Sequence, residues 1–199
     1  MNKIIIETCE GLNYLHINGL IHRDIKPNNI IISEDGTYKI CDFEMIKELK
    51  DPDKSTRVGT NGYMAPEVRD QKDYDESADI YSLGISILQM ISKDAAENLE
   101  KSWYQEIILY DLKTTNPLIF EICSKCLKKD PKERISAQEI ITKIENSENE
   151  GKFHILPKKF NITKNLTSKN FKYEIFLINN TESKIFHIKV KFNKRNLLL

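Results

Sequence analysis

The feature that most constrains this chain is a short polar turn between apolar segments, in the stretch GLIHRDIKPNNIIIS at residues 19–33. The turn places Asp24 two positions before Lys26 and five before Asn29. A carboxylate accepts or orients a hydroxyl proton, an ammonium group neutralises charge on a phosphate, and an amide oxygen ligates Mg²⁺. The spacing therefore favours chemistry on a phosphate group, provided that a second carboxylate lies nearby.

A second carboxylate follows across a predicted pair of short strands. The segments NIIIS and YKICDF are apolar and β-branched, and EDG lies between them, a pattern typical of a small hairpin. Pairing of the two segments returns Asp42 to the end of the hairpin that carries Asn29. Because Mg²⁺ prefers hard oxygen ligands, the sequence predicts that these two side chains lie together at a metal site.

Helical spacing dominates most of the remaining sequence. The segment SADIYSLGISILQMIS is apolar nearly all round and predicts a buried helix from Ser77, while IIIETCEGLNYLH and PLIFEICSKCLKK predict further helices. Ser136 and Glu139 form the pattern of a capping box that opens a last helix. Residues 44–62 read as a loop and residues 93–116 as an ambiguous helical region. The expected fold class is mainly α (α+β), with short β pairs around the polar turn.

Charge divides the chain into two parts. Eleven Lys or Arg but only two acidic residues follow position 150, so this part carries +9; because the whole chain is formally neutral, residues 1–150 carry −9. The segments FKYEIFLI and KIFHIKVKF alternate apolar and polar residues around NNTES, which predicts a β-hairpin. We predict two domains, residues 1–146 and a basic extension at residues 147–199. The extension has no recognised nucleic-acid-binding motif, which favours a solvated charged hairpin over a nucleic-acid or lipid contact.

The polar turn and four later motifs resemble those of eukaryotic protein kinases. HRDIKPNN is similar to their catalytic loop, H-R-D-x-x-x-x-N, and DFE is similar to their D-F-G motif. GTNGYMAPE resembles the end of their activation segment, and DIYSLG and the Arg of DPKERIS continue the match in the family's order. The resemblance covers roughly residues 1–146 and implies the large C-terminal lobe of a kinase. The Lys that follows H-R-D-x, Lys26, resembles the Ser/Thr-specific form.

The resemblance implies roles for the residues of the polar turn and the hairpin. Asp24 corresponds to the catalytic base, and Lys26 to the residue that contacts the γ-phosphate of ATP. Asn29 and Asp42 correspond to the Mg²⁺ ligands. Ile31 would lie under the adenine ring. ATP and Mg²⁺ are therefore the implied cofactors, and a protein Ser/Thr hydroxyl the implied substrate.

The resemblance also implies supporting roles for residues outside the turn. Thr60 would line the site beside the acceptor hydroxyl. Glu67 of the A-P-E motif and Arg134 would form an ion pair that braces the activation segment. Asp79 would be a buried carboxylate that holds the backbone of the catalytic loop, since bonds from N–H groups offset the desolvation of a buried carboxylate.

Arg23 beside the catalytic Asp suggests regulation by phosphorylation. In this family such an Arg receives a phosphate on the activation loop, and Thr56 falls three residues before Gly59, where the family places its phosphothreonine. A phosphate of about −1.5 to −2 charge would order the loop through the guanidinium. A solvent-exposed Thr in a polar loop is an alternative of about equal weight.

The sequence departs from the family's pattern in two ways. No G-x-G-x-x-G loop and no V-A-I-K strand occurs in these 199 residues, and Met1 falls within the first long helix of the large lobe, so the N-terminal lobe is expected to be missing. Glu44 stands where D-F-G has Gly, which permits backbone conformations that other residues disfavour, and it adds negative charge near the metal site.

Two functions remain open at this point. The first is a Ser/Thr protein kinase domain that is truncated and inactive or weakly active alone. This function is favoured because all four residues of the implied catalytic set are present. The second is a pseudokinase-like module that binds a partner protein through its uncovered face without phosphotransfer. A missing N-lobe or another partner is expected to cover that face, because an exposed apolar surface usually marks an interaction site.

The remaining observations concern location and cysteine chemistry. No apolar run approaches the length of a membrane span, which predicts a cytoplasmic protein, with a nuclear location as the alternative. The pair Cys123 and Cys126 is spaced as C-x-x-C but lacks partners for a zinc site, so core packing within a helix is favoured over metal binding.

Overall fold

The computed structural model describes residues 1–51, 58–92, 96–151, 170–179 and 184–193. Its backbone divides into two compact units, Met1–Glu145 and Asn146–Leu199. In the described residues, no helix combines the length and the apolar character needed to cross a bilayer.

The helices and strands follow in chain order. They are α1 (Asn2–Ile17), β1 (Leu20–Ile21), β2 (Ile30–Ile32), β3 (Tyr38–Ile40), β4 (Lys47–Glu48), α2 (Pro66–Arg69), α3 (Ser77–Ser92), α4 (Ala96–Leu99), α5 (Ser102–Thr115), α6 (Pro117–Cys126), α7 (Ala137–Gly151), β5 (Asn170–Asn179) and β6 (Lys184–Asn193). Two short 3₁₀ turns lie at Pro27–Asn29 and Pro131–Glu133. The prediction of a mainly helical fold with short strand pairs is confirmed.

Helix α3 forms the centre of the first unit. Every residue from Ala78 to Leu88 is buried, which agrees with a sequence that is apolar nearly all round. Gly84 lets α6 pack closely against α3, because a Cβ at this position would lie 2.8 Å from the Cβ of Cys126. Cys123 and Cys126 are both fully buried in this core, in accordance with the packing role predicted for them.

The burial of the cysteines predicts a simple pattern of thiol reactivity. Burial raises the pKa of Cys126 to about 12 and raises those of Cys9 and Cys123 well above the usual value, so these thiols stay protonated and enclosed at neutral pH. Cys41 is only partly buried. We expect iodoacetamide to modify Cys41 in the folded chain and all four thiols after denaturation, with mass spectrometry as the readout. Rapid native labelling of a Cys41→Ser variant would contradict this packing.

Of the two strand pairs around the polar turn, the sequence predicts one and not the other. β2 and β3 are antiparallel, with Ile30 opposite Ile40, which confirms the predicted hairpin. β4 pairs with β1, Leu20 opposite Glu48, within the range predicted to be loop. A pairing of two residues is too short to produce an alternating sequence pattern, which is why it was missed.

The predicted capping box opens α7, the last helix that the structure describes. The Glu139 carboxylate accepts hydrogen bonds from the Ser136 backbone N–H at 2.8 Å and from its hydroxyl at 2.7 Å, and the Glu139 N–H donates to the Ser136 hydroxyl at 3.2 Å. The bond from the Ser136 backbone is the main reason that the pKa of Glu139 lies below its usual value. These bonds satisfy donors that a helix start leaves without partners.

The second unit contains the predicted basic hairpin. β5 and β6 are ten residues each and pair antiparallel, with Phe171 opposite Phe192 and Ile175 opposite Ile188. The strands match the two alternating segments of the sequence to within one residue at each end.

Candidate active site

A buried carboxylate fixes the backbone of the polar turn. Asp79, in the first turn of α3, is 1% exposed and accepts hydrogen bonds from the backbone N–H groups of His22 and Arg23, both at 2.8 Å. Its Oδ2 also lies 3.0 Å from Nε2 of His16 on α1. Arg23 has a φ of +69°, a conformation that costs free energy for any residue with a side chain. The charge-assisted bonds to Asp79 offset that cost and hold the turn in this shape.

Four hydrogen bonds converge on the carboxylate of Asp24. Oδ1 accepts from the backbone N–H of Thr60 at 2.9 Å and from its hydroxyl at 2.6 Å. Oδ2 accepts from Nζ of Lys26 at 2.7 Å and from Nδ2 of Asn29 at 3.1 Å. Burial opposes ionisation of Asp24, but the hydrogen bonds from Lys26 and Thr60 outweigh it and hold the pKa below its usual value. Asp24 is therefore a carboxylate at neutral pH.

Thr60 reaches Asp24 because the preceding residue has no side chain. Gly59 has a φ of +120°, and a Cβ there would lie 2.6 Å from the carbonyl oxygen of Arg23. No other residue fits this close approach of two backbone segments. The Thr60 hydroxyl also accepts a hydrogen bond from Nζ of Lys26 at 2.7 Å, so the end of the activation segment is joined to the turn by side chains as well.

The hairpin places Asp42 next to Asn29, as the sequence predicts. The backbone N–H of Cys41 donates to the carbonyl oxygen of Asn29 at 2.9 Å, and the Cys41 carbonyl lies 3.1 Å from Nε2 of His22. Asp42 then follows with a φ of +65° and an exposed side chain. Within the described residues, no hydrogen bond or ion pair engages its carboxylate.

The donor atoms at this end of the hairpin fit Mg²⁺. Nδ2 of Asn29 donates to the carbonyl and the carboxylate of Asp24, at 2.8 and 3.1 Å, which leaves Oδ1 as an acceptor. Asn29 Oδ1 and the Asp42 carboxylate are hard oxygen ligands. In the described part of the chain, no three His, Cys, Asp or Glu side chains converge on a metal position. Two protein oxygens suit Mg²⁺, which keeps waters and substrate phosphates as its other ligands.

The surface beside the metal position is apolar and open. Ile31 is 47% exposed and Phe43 is 55% exposed, and the Phe43 ring meets the His22 imidazole edge to face at 5.7 Å. Ile31 is thus available as a floor for a flat ring. Glu44 is exposed and does not adopt a positive φ; the non-glycine residues of this region that do are Arg23 and Asp42. Glu44 in place of Gly therefore does not strain the backbone at this position.

An ion pair ties the activation segment to the end of the first unit. The guanidinium of Arg134 donates to both carboxylate oxygens of Glu67, at 2.5 and 2.8 Å, and both side chains are buried. Arg134 also donates to the carbonyl oxygens of Ser77 and Lys128, at 3.1 and 2.9 Å. Its guanidinium lies 5.1 Å from the ring centroid of Tyr81. The predicted pair is thus present with both oxygens engaged.

The predicted contact between Arg23 and a phosphorylated Thr56 cannot be placed. Thr56 lies outside the described residues. The Arg23 guanidinium donates through Nε to the carbonyl of Met45 at 2.5 Å and through Nη1 to the hydroxyl of Tyr74 at 3.4 Å. Within the described residues, these two bonds leave Nη2 of the guanidinium for a further acceptor.

A polar cavity of about 480 Å³ adjoins the Asp24 network and was not predicted. It is lined by Lys26, Asn28, Asn29, Thr60, Asn61, Tyr63, Gln89 and Glu97. Tyr63 and Gln89 are hydrogen-bonded through their side chains. Tyr63 lies in the GTNGYMAPE stretch, but Gln89 and Glu97 come from two other segments, so no local sequence pattern indicates that the three line one cavity.

Comparison with known proteins identifies the family. Residues 1–144 match the family described as protein kinase domain, and the chain belongs to it. It is similar to the serine/threonine-protein kinase STE20 of Eremothecium gossypii, with 37% identity over 145 residues, covering 68% of this chain and 15% of STE20. The serine/threonine-protein kinase SKM1 of Saccharomyces cerevisiae is 48% identical over 93 residues, covering 46% of this chain and 14% of SKM1.

A third relative comes from another organism. A probable serine/threonine-protein kinase of Dictyostelium discoideum is 34% identical over 146 residues, covering 70% of this chain and 35% of that protein. The chain thus spans between 14% and 35% of the length of these three relatives. The chain therefore belongs to the protein kinase domain family, and these three relatives are Ser/Thr-specific members. Kinases of this family in general use ATP and Mg²⁺.

Proposed function

We propose that this chain forms the half of a Ser/Thr protein kinase site that binds the metal and the protein substrate. The proposed reaction transfers the γ-phosphoryl group of ATP to a protein Ser or Thr hydroxyl. The observation that carries the proposal is the convergence of Lys26, Asn29 and Thr60 on the ionised carboxylate of Asp24. Asp24 and Asn29 match the family's H-R-D-x-x-x-x-N motif, and Lys26 and Thr60 lie in the stretches that resemble its catalytic loop and the end of its activation segment.

Asp24 and Lys26 have complementary roles in this proposal. The Asp24 carboxylate orients the acceptor hydroxyl and takes its proton as the new O–P bond forms and the bond to the leaving diphosphate breaks. The Lys26 ammonium group lies 2.7 Å from both the Asp24 carboxylate and the Thr60 hydroxyl, where it stabilises negative charge beside the acceptor. Thr60 fixes Asp24 Oδ1 through two bonds, so the carboxylate needs no reorientation during the reaction.

Asn29, Asp42 and Ile31 supply the nucleotide side of the site. Asn29 Oδ1 and the Asp42 carboxylate would hold Mg²⁺, and Ile31 would support the adenine ring. When bound, ATP and Mg²⁺ supply the phosphoryl group and the positive charge that neutralises its oxygens. No Gly-rich loop and no V-A-I-K Lys occurs in the 199 residues to cover this side. We therefore propose that the isolated chain binds nucleotide weakly and that another lobe or protein covers Ile31 and Phe43.

A second candidate function is a pseudokinase-like interaction module. The exposed apolar groups beside the metal position, Ile31, Phe43 and Met45, favour it because they form a surface that a partner protein could cover. Glu44 adds an exposed carboxylate near Asp42, and this negative charge disfavours nucleotide phosphates. In this alternative the Asp24 network stabilises the turn and no phosphoryl group is transferred.

Phosphotransfer by the 199-residue chain distinguishes the two candidates. We expect slow labelling of a Ser/Thr peptide library by radiolabelled Mg·ATP at high enzyme concentration. Asp24→Asn should reduce the rate by about 10²–10⁴-fold, the usual contribution of a general base, and Asp42→Asn should abolish it. Glu133→Gln is the matched control, because it removes an exposed carboxylate that lies outside the proposed site. Labelling that is absent, or equal in all variants, would support the interaction module.

The same variants test the weak-binding proposal. We expect Mg·ATP to raise the melting temperature of the chain by no more than a degree or so, because water enters the open site and weakens electrostatic contacts. A shift of several degrees that disappears in Asp42→Ala would show tight binding and contradict the proposal. Mg²⁺ without ATP serves as the reference.

A further inference from the structure

Helix α5 carries exposed apolar side chains opposite the face that packs in the core. Trp103, Ile107 and Tyr110 recur at i, i+4 and i+7 and are 57%, 57% and 79% exposed. At about 100° per residue, the three lie in one narrow sector of the helix. Gln105 and Leu112 are buried on the opposite side. We call Trp103, Ile107 and Tyr110 the α5 stripe. It lies outside the Asp24 network, and the following inference does not depend on phosphotransfer.

Two opposite charges flank one edge of the α5 stripe. Glu106 and Lys113 are seven positions apart, so they lie on the same side of the helix, about 10.5 Å apart along its axis. That distance is too large for the two charges to pair with each other. Both side chains are exposed, and neither has an ion-pair partner within the described residues. The edge therefore presents a negative and a positive group, each available to an outside charge.

We propose that the α5 stripe binds the α5 stripe of a second copy, with the two helices antiparallel about a two-fold axis. In such an interface, if residue i contacts residue j, then j contacts i. A register that pairs Glu106 with Lys113 of the second copy also pairs Lys113 with Glu106 of the second copy. This register sets the axis midway between positions 109 and 110. It brings the two Tyr110 rings together and places Ile107 against Tyr110 of the second copy.

The self-complementary charges favour a second copy of the chain as the partner that binds the α5 stripe. One register satisfies both ion pairs and covers the centre of the apolar stripe, and no other protein is needed to explain the arrangement. Asp111 lies on the opposite edge and would face Asp111 of the second copy, which opposes association. The stripe is also small compared with stable interfaces. The expected product is a dimer that dissociates on dilution.

Sedimentation equilibrium of the 199-residue chain at several concentrations tests the proposal. We expect a monomer–dimer equilibrium that Tyr110→Asp abolishes. Glu106→Lys and Lys113→Glu should each raise the dissociation constant by about tenfold or more, because each turns two attractive pairs into two repulsive ones. The double variant E106K/K113E should return the dissociation constant to near that of the unchanged chain, because it restores both pairs with reversed signs.

A matched control distinguishes this interface from nonspecific association through exposed apolar side chains. Tyr14 on α1 is 67% exposed and lies on another helix, so Tyr14→Asp should leave the dimer unchanged. A chain that stays monomeric at all accessible concentrations overturns the proposal and leaves the α5 stripe to a different partner. A dimer that survives Tyr110→Asp, or that E106K/K113E fails to restore, also overturns it. Circular dichroism melts confirm that the charge variants, all at exposed positions, remain folded.

Discussion

Replacing Glu67 with Ala is expected to lower the free energy of unfolding by about 3–5 kcal/mol, the usual cost of removing one partner of a buried ion pair. The loss is large because Arg134 stays buried with its charge and loses both bonds to Glu67, at 2.5 and 2.8 Å. Its remaining acceptors, the carbonyls of Ser77 and Lys128, carry no formal charge. Urea denaturation monitored by circular dichroism measures the change.

A control and a double variant show whether the effect belongs to the pair. Glu133→Ala removes an exposed Glu next to Arg134 and should change stability little. Glu67→Leu combined with Arg134→Met should recover part of the loss, since it replaces both charges with apolar groups of similar size. The activation segment should also become more sensitive to proteases near Gly59 in Glu67→Ala. An unchanged melting temperature together with unchanged cleavage would contradict the proposed bracing role.

Replacing Asp79 with Ala is expected to loosen the polar turn that carries Asp24. The backbone N–H groups of His22 and Arg23 would lose their acceptor, at a cost of about 1–3 kcal/mol for each buried donor left without a partner. Arg23 would also lose the contacts that offset its positive φ. Amide hydrogen exchange should speed up at His22 and Arg23 more than in the rest of the core.

Asp75→Ala is the matched control for this second prediction. Asp75 lies two residues before α3 and is exposed. Its Oδ1 accepts a hydrogen bond from the backbone N–H of Ser77 at 3.0 Å, so it caps the helix and does not contact the polar turn. Asp75→Ala should modestly lower the free energy of unfolding because the helix cap is lost. The amide exchange rates of His22 and Arg23, compared with those of the rest of the core, should stay unchanged. If the two variants gave the same exchange pattern, Asp79 would stabilise the helix alone and not the turn.

Much of the fold could be predicted because its sequence patterns are local. The all-round apolar segment gave the bounds of α3, the Ser136–Glu139 spacing gave the start of the last helix, and strand alternation gave the basic hairpin. The return of Asp42 to Asn29 followed from the β2–β3 hairpin alone. The roles of Asp79 and of the Glu67–Arg134 pair came from family resemblance, because residues so far apart in the chain leave no periodic signal.

The features that sequence could not give depend on contacts between distant segments. The positive φ of Arg23 belongs to a residue type with no intrinsic preference for it, and the hydrogen bond from its backbone N–H to Asp79 helps to hold it. The close approach of Gly59 to the Arg23 carbonyl requires two segments to meet. The cavity side chains Tyr63, Gln89 and Glu97 likewise come together only in the folded chain.

The crowding around Asp24 has a consequence for how an acceptor alcohol arrives. The carboxylate offers about four lone-pair directions, and the contacts with Thr60, Lys26 and Asn29 already use all four. In the proposed reaction an incoming hydroxyl therefore displaces a resident donor. The Thr60 hydroxyl, which also accepts from Nζ of Lys26, is the donor that can leave while the Thr60 backbone N–H still holds Oδ1. The incoming hydroxyl then replaces one hydrogen bond to the Asp24 carboxylate with another, and the number of hydrogen bonds stays the same. If the proposed reaction takes place, selectivity among polypeptide substrates depends on surfaces that contact the residues on either side of the reacting one.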